Sequence, residues 1–403
     1  MNRIFCFLIF VLTLNATHSQ KVVFYSDTLS FTVSKTVSLF MGKSDEKREV
    51  LAYYENLKNS NFLLEISSQL LAVKKEYRLN DYFMGQVLDR FCQSVAPKVS
   101  NKQQRVLMYC VLGFMGYDVR LATASNGYFV LVNADTEIHY HPFQEIGKTK
   151  YYSAHHSSSK GTLNKSYDYI GDKKNKYTFK VTEPIVFHHP VFEETKSSLV
   201  SYKYELYGEE SESYLRGKIK KVDNDTSYIF LNHNMTLLDC YADLPMIAYE
   251  NYFYLSVSDS IKNQLLRFVV KDLGSNKQDK LKYLIQFSRL KSQLMPDAQA
   301  YKKERPMFPE EALYYKYTDC EDRNALLFYL VREILNLPII ILEYPSHINI
   351  AVAIDGNFKQ VIKHKGNRYV VCEASSWNPT VKIGESDAFE RYPHPKIIGE
   401  YAP

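Results

Sequence analysis

Three side chains able to carry out acyl chemistry together occur in order near the C-terminal end: Cys320, His347 and Glu373. Cys320 lies in YTDCEDRNALLFYL. His347 follows Pro345-Ser346 and precedes the alternating Ile348, Ile350, Val352 and Ile354. Glu373 lies in YVVCEASSW. A thiol can serve as a nucleophile, an imidazole as its base, and a carboxylate can fix the imidazole's tautomer and stabilise its cation.

The surrounding residues predict elements that would position these groups. Thr318 and Asp319 are good helix N-caps, and Glu321 and Asp322 suit a first turn. Ala325, Leu326, Tyr329, Leu330 and Ile334 recur at helical spacing and predict a helix of about four turns. Cys320 then sits at a helix N-terminus, where the dipole favours a thiolate. The neighbouring acids oppose this, so a protonated histidine partner is needed. An inert core thiol is not expected in a run as polar as TDCEDR. Taken singly, His347 reads as a satisfied surface residue and Glu373 as a surface carboxylate. Their order behind a capped cysteine is what makes them candidates.

The segments FPEEALYYKYTDCEDRNALL, LEYPSHINIAV and NRYVVCEASSWNPTVKIG resemble the transglutaminase-like superfamily of papain-like cysteine enzymes. More narrowly, the chain looks like an exported bacterial group that joins a degenerate first transglutaminase-like unit, a β domain and a catalytic-type C-terminal unit. The match is strong over Ala300 to Gly384, moderate over Leu237 to Leu294 and weaker upstream. The resemblance maps the family nucleophile to Cys320, the histidine to His347 and the acid to Glu373. The group usually reads Asp-Pro-Thr-Tyr at the acid, where this chain has Glu373-Ala374-Ser375-Ser376, and Pro-Gly-His where it has Pro345-Ser346-His347. The implied reaction is attack of the Cys320 thiolate on an amide carbonyl, with His347 protonating the departing amine and a thioester left behind. Water then gives hydrolysis and an amine gives transamidation. The oxyanion would need the Cys320 N–H and a second donor, for which Tyr315 and Tyr317 are candidates.

The stretch Ser100 to Asp135 aligns with the C-terminal one at a constant offset of 220 positions (100 to 320). Leu107 meets Leu327, Tyr109 meets Tyr329, Val119 meets Ile339 and Leu121 meets Ile341. This predicts an internal repeat of a helix–strand–strand unit. It is chemically empty, because Ser100 stands at the cysteine position and Gly127 at the histidine position, while His155 and His156 lie near the acid position without filling it. Between the two, short β-like runs at Tyr177 to Val181, Leu199 to Leu206, Tyr214 to Val222, Tyr228 to Leu231 and Tyr252 to Val257 predict an antiparallel β-sandwich. The expected class is α+β, with a papain-like transglutaminase fold at the C-terminus and its degenerate copy at the N-terminus. The expected boundaries are a leader at 1–19, the degenerate domain at 20–165, the β domain at 166–257 and the catalytic-type domain at 258–403.

The first residues, with Arg3 followed by an apolar run from Ile4 to Leu14, read as a secretory signal. No later stretch is long and apolar enough to span a membrane, so a secreted or periplasmic protein is expected. Composition is globular, with 45% hydrophobic and 24% charged residues, and the net charge of +5 is spread without a basic patch, which argues against nucleic acid. Five cysteines remain after the leader, Cys92, Cys110, Cys240, Cys320 and Cys372. The odd count leaves a free thiol, and the absence of C-x-x-C spacing argues against structural zinc. No cofactor or metal is expected, and the partner is a peptide or protein substrate. The function expected is amide hydrolysis in preference to cross-linking. The competing expectation is an inactive scaffold that binds peptides or glycans, which the 33 tyrosines would suit.

Overall fold

The stretches related by 220 positions fold the same way. A computed structural model of the chain describes residues 17–25, 27–34, 47–95, 101–124, 127–154, 163–168, 176–183, 199–206, 227–271, 276–290, 292–376 and 381–403. The chain divides into two units, one of Met1–Asp135 with His141–Glu183 and one of Thr136–Tyr140 with Pro184–Pro403. The protein is mixed α+β, with two curled antiparallel sheets of five strands. Residues 1–16 of the expected leader, Ser100, His155, His156 and the Tyr214 to Val222 run lie outside the described residues, whereas Thr17, His18 and Ser19 begin the first strand.

In the first unit, strands β1 (Thr17–Phe24) and β2 (Asp27–Ser34) form a hairpin. Helices α1 (Lys47–Asn59), α2 (Phe62–Tyr77), α3 (Asp81–Val95) and α4 (Asn101–Met115) follow. The Asn80 carboxamide accepts the Phe83 N–H at 3.1 Å and caps the start of α3. Then come β3 (Val119–Ala124), β4 (Gly127–Asn133), β5 (Phe143–Ile146), β6 (Thr149–Ser153) and β7 (Leu163–Tyr167), arranged in the order β5-β6-β4-β3-β7.

The second unit opens with the hairpin β8 (Leu199–Leu206) and β9 (Ser227–Asn234), followed by α5 (Met235–Asp243), α6 (Glu250–Tyr254), α7 (Asp259–Lys271) and α8 (Lys277–Leu290). After β10 (Gln293–Leu294), α9 (Asp297–Ala300), α10 (Pro309–Tyr314) and β11 (Tyr317–Thr318) comes helix α11 (Cys320–Leu330). A π-helical turn at Val331–Leu335 extends it. The sheet strands are β12 (Ile339–Tyr344), β13 (His347–Val352), β14 (Val361–His364), β15 (Asn367–Cys372) and β16 (Lys396–Tyr401), with α12 (Asp387–Arg391) before the last. Their order is β14-β15-β13-β12-β16, which is the first sheet's order strand for strand.

The registers agree as well. Val119 pairs with Val132 and Ala124 with Gly127; 220 positions on, Ile339 pairs with Val352 and Tyr344 with His347. The next hairpin keeps its register at an offset two residues shorter, Phe143 with Tyr152 and Val361 with Val370. Each preceding helix ends on a left-handed residue, Gly116 (φ 96°) and Asn336 (φ 47°). Tyr109 and Tyr329, equivalent on the two helices, are both fully buried.

Three expectations need correction. The Tyr177 to Val181 run belongs to the first unit, where Phe179 and Val181 are buried and the Phe179 N–H bonds the Asn133 carbonyl at 2.7 Å. Residues 250–254 are helical instead of β, because one helical turn buries both Tyr252 and Phe253. Among the described residues of 166–257, the β-sandwich is therefore reduced to the end of β7, isolated bridges and one hairpin. Residues 299–320 contain helix α10. Pro309 occupies its first position, and the Glu311 carboxylate accepts the Phe308 N–H at 3.2 Å. Among the described residues no helix is long and apolar enough to cross a membrane.

Candidate functional site

Helix α11 packs on β13, and this contact brings the ends of three elements together. Cys320 is the first residue of α11, His347 the first of β13, and Glu373 the first after β15. All three line one cavity of about 400 Å³, together with Leu294, Pro296, Ser375, Asp387 and Arg391 among others. His347 opens β13 directly after the turn from Tyr344.

His347 Nε2 lies 2.7 Å from Glu373 Oε2, which leaves Nδ1 for a group on the other side of the ring. Glu373 is 3% exposed. The same oxygen accepts Asn349 Nδ2 and Ser386 Oγ, each at 3.2 Å. Its other oxygen accepts the Ser375 N–H at 2.9 Å and the Ser375 hydroxyl at 2.6 Å. Burial alone would raise this carboxyl, but His347 and the Ser375 donors bring it down to about 2, so it is ionised at neutral pH. Arg289 holds the backbone beneath it: Nε donates to the Glu373 carbonyl at 3.1 Å and Nη1 to the Val381 carbonyl at 3.1 Å.

The thiol is placed differently from a thiolate paired with imidazole. Cys320 Sγ donates to Glu321 Oε2 at 3.0 Å. Burial first, then Glu321 and Asp319, push the thiol well above its ordinary value, while the Ile348 N–H works in the opposite direction. Among the described residues, Cys92, Cys110, Cys240 and Cys372 are buried free cysteines and Cys320 alone is partly exposed. Asn324 joins the three segments: its Nδ2 donates to the Cys320 carbonyl at 2.8 Å, the Ile348 carbonyl at 3.0 Å and Ser375 Oγ at 3.2 Å.

The N-terminus of α11 is acidic. Asp322 caps it from inside, accepting the Asp319 N–H at 3.1 Å and the Met307 N–H at 2.8 Å. Asp297, Asp319 and Asp322 form one close group of carboxylates, and Asp297, Glu304 and Glu321 another. Burial and mutual repulsion raise Asp319, Glu321 and Asp322, and burial raises Asp297 to about 6.

Cys320, His347 and Glu373 are thus brought to one cavity. Tyr315 and Tyr317 do not line it: the Tyr315 ring lies 4.0 Å from the Arg305 guanidinium, and Tyr317 pairs with Gln293. Sequence reasoning missed Asn349, Ser386, Ser375, Asn324 and Arg289. One signal was present for Asn349. It lies two residues after His347 in an otherwise apolar strand, so it shares the histidine's face, and a fully buried amide there must have a polar partner. No protein-family model, curated protein or solved structure matches the chain.

Proposed function

We propose that this chain is a thiol enzyme acting on amide bonds of peptides or proteins, with Cys320 as nucleophile, His347 as base and acid, and Glu373 as the group that orients His347. The observation that carries this reading is the buried, ionised Glu373 bonded to His347 at 2.7 Å, on the wall of the cavity that Cys320 also lines. An ionised carboxylate on Nε2 directs Nδ1 to accept the thiol proton and stabilises the resulting imidazolium. The thiolate then adds to the amide carbonyl. Collapse of the tetrahedral adduct breaks the C–N bond as the imidazolium returns its proton to the amine. Water, deprotonated by the same ring, cleaves the thioester and regenerates the thiol. Helix α11, five-stranded sheet and the order Cys, His, acid suit the papain-like transglutaminase fold that the sequence resembles, with the first unit as its degenerate copy. Hydrolysis is the favoured outcome over transamidation, and an exported protein with a cleaved leader is the setting proposed.

The test is incubation of wild type, Cys320→Ala and His347→Ala with a peptide library and an amine acceptor, followed by mass spectrometry. Cleavage by the wild type alone supports the reading. Equal product from all three, or none from any, removes it. A second reading, an inactive scaffold binding peptides or glycans, is favoured by one observation: the thiol proton is committed to Glu321 and the thiol is pushed away from ionisation.

A further inference from the structure

The wall of the cavity that Cys320, His347 and Glu373 share carries a cation that the acyl chemistry does not use. Arg391 ends helix α12, lines the cavity and is exposed. Among the described residues its guanidinium has no ion-pair partner. The acids nearest to it in sequence are engaged elsewhere: Glu390 pairs with Lys359 at 2.6 Å, and Glu385 accepts the Lys382 N–H at 3.2 Å. Asp387 stands four residues earlier, a spacing that commonly pairs on a helix, yet it forms no ion pair with Arg391. We propose that Arg391 is the specificity-determining residue of this cavity and binds a carboxylate that the substrate carries close to the reacting amide. The proposal rests on the thiol-enzyme reading above and names its substrate class, peptides with an acidic side chain or a free C-terminus near the bond attacked.

Helix α12 holds the backbone of Arg391 beside the catalytic acid. The Ser386 hydroxyl caps the helix, accepting the Phe389 N–H at 3.4 Å, and the same hydroxyl bonds Glu373 at 3.2 Å. Gln360 Nε2 donates to the Ser386 carbonyl at 3.1 Å. Ala388 and Phe389 pack on the apolar layer of Ile340, Leu342 and Tyr344. The segment is thus tied to Glu373 and to the sheet core while the arginine head stays exposed. A backbone already in place removes part of the ordering cost of binding.

The charges of the cavity leave this cation to a ligand. Glu373 is committed to His347. Burial, and Glu321 beside it, favour the neutral form of Asp319. Asp387 and Arg391 remain. Asp387 directly follows Ser386, so a cation drawn to it would lie beside the Glu373–His347 pair and compete for the same carboxylate. Arg391 is four residues further along the helix, about 6 Å at 1.5 Å per residue, and an anion there leaves the pair undisturbed. Its planar fork matches a carboxylate with two parallel N–H···O bonds. Leu294, Pro296, Ala388 and Tyr392 give the same cavity apolar surface, along which the stem of an acidic side chain or of a terminal residue can lie.

Charge selection can be read from Cys320 without turnover. Full-length wild type, Arg391→Gln, Arg391→Lys and Asp387→Asn are alkylated with iodoacetate, iodoacetamide and 2-bromoethylamine, which are anionic, neutral and cationic. Labelling of Cys320 is followed by peptide mapping, with free cysteine as the reference. The ratio of iodoacetate to iodoacetamide labelling should fall roughly two- to fivefold in Arg391→Gln, the size of effect an exposed charge pair gives. Arg391→Lys should keep most of it, and Asp387→Asn should not lower it. A ratio unchanged in Arg391→Gln overturns the proposal. So does a fall in 2-bromoethylamine labelling in Asp387→Asn alone, which makes the wall a reader of cations. A Cys320 that none of the reagents reaches overturns it too, because no carboxylate then enters. Digestion of free and C-terminally amidated peptide libraries separates the two carboxylate sources. Loss of cleavage beside Asp and Glu in Arg391→Gln identifies a side chain, loss confined to the free library identifies a chain end, and identical cleavage by the variant and the wild type overturns the proposal. Absence of any cleavage, with a labelling ratio that still depends on Arg391, removes the thiol-enzyme reading and leaves the carboxylate site standing.

Discussion

Replacing Glu321 by Gln should make Cys320 more reactive. The thiol now donates to the Glu321 carboxylate at 3.0 Å, and this bond exists only while the sulfur keeps its proton. A hydrogen bond to a charged acceptor contributes about 1.5–3 kcal/mol, against about 0.5–1.5 kcal/mol for a neutral one. Gln keeps a carbonyl acceptor and removes the charge, so the thiol form loses about 1–2 kcal/mol relative to the thiolate. At about 1.4 kcal/mol per tenfold, the thiolate population rises roughly five- to thirtyfold. A less basic thiolate is also a weaker nucleophile, with a Brønsted slope of about 0.4–0.5, so the net gain in alkylation rate is about two- to sixfold. The assay is iodoacetamide labelling at several pH values, with peptide mapping to separate Cys320 from the four buried cysteines. The gain should widen as pH rises, because Glu321, itself raised by burial, carries more of its charge there. An unchanged or slower rate in a variant with wild-type melting would refute the idea that Glu321 restrains the thiol.

Glu373→Ala removes the acceptor for His347, Asn349, Ser386 and Ser375 together; a loss of about 3–5 kcal/mol in urea denaturation is expected for breaking such a buried pair from one side. Ile340→Ala, in the apolar layer formed with Leu342, Tyr344, Ala351, Tyr369 and Val371, should cost about 2–5 kcal/mol in the same assay and leave Cys320 labelling unchanged in the folded fraction. Stability of the chain should pass through a maximum in mildly acidic solution, read as melting temperature against pH. Glu373 is depressed to about 2, so its contribution is complete above its unfolded value and is lost as pH falls through about 2. Glu311 and Asp297 are raised, chiefly by burial, to about 7 and about 6, so theirs is complete below their unfolded values and is lost as pH rises through 6 to 7. A melting temperature that keeps rising from pH 5 to pH 8 would contradict these assignments.

The elements that position the chemistry were legible because each is local. A cap, an acidic first turn and apolar periodicity specify α11, and the Pro-containing turn before alternating isoleucines specifies β13. The offset between the two stretches was visible because it preserves period and turn together. What could not be read is what only tertiary packing decides. ENYFY (250–254) has the aromatic content of a strand, yet stacking of Tyr252 on Phe308 at 4.7 Å and contact of Phe253 with Phe328 at 5.8 Å favour one helical turn. The Glu373 surroundings are likewise non-local. Arg289 lies 84 residues away in sequence and Asn324 reaches Ser375 across 51. Glu321 looked like a dipole-favoured first-turn residue, and its reach to the neighbouring sulfur depends on a burial that no local pattern encodes.

The two sheets also differ in what their equivalent strand positions carry. Same topology and same hairpin register mean that each strand position has a counterpart. His347 corresponds to Gly127, and Asn349, the amide that donates to Glu373, corresponds to Phe129 (349 to 129). Phe129 is 3% exposed and packs with Ala122, Leu131 and Tyr151. The face that carries His347 and Asn349 in the second sheet is therefore closed by an aromatic ring in the first. Restoring a histidine at position 127 alone would leave it without the polar donors that hold a carboxylate ionised in a buried site. One sheet thus uses these strand positions for apolar packing, and the other keeps them polar, with Asn349, Ser375 and Ser386 all bonded to Glu373. Maintaining that buried polar set has a cost in stability that apolar packing avoids.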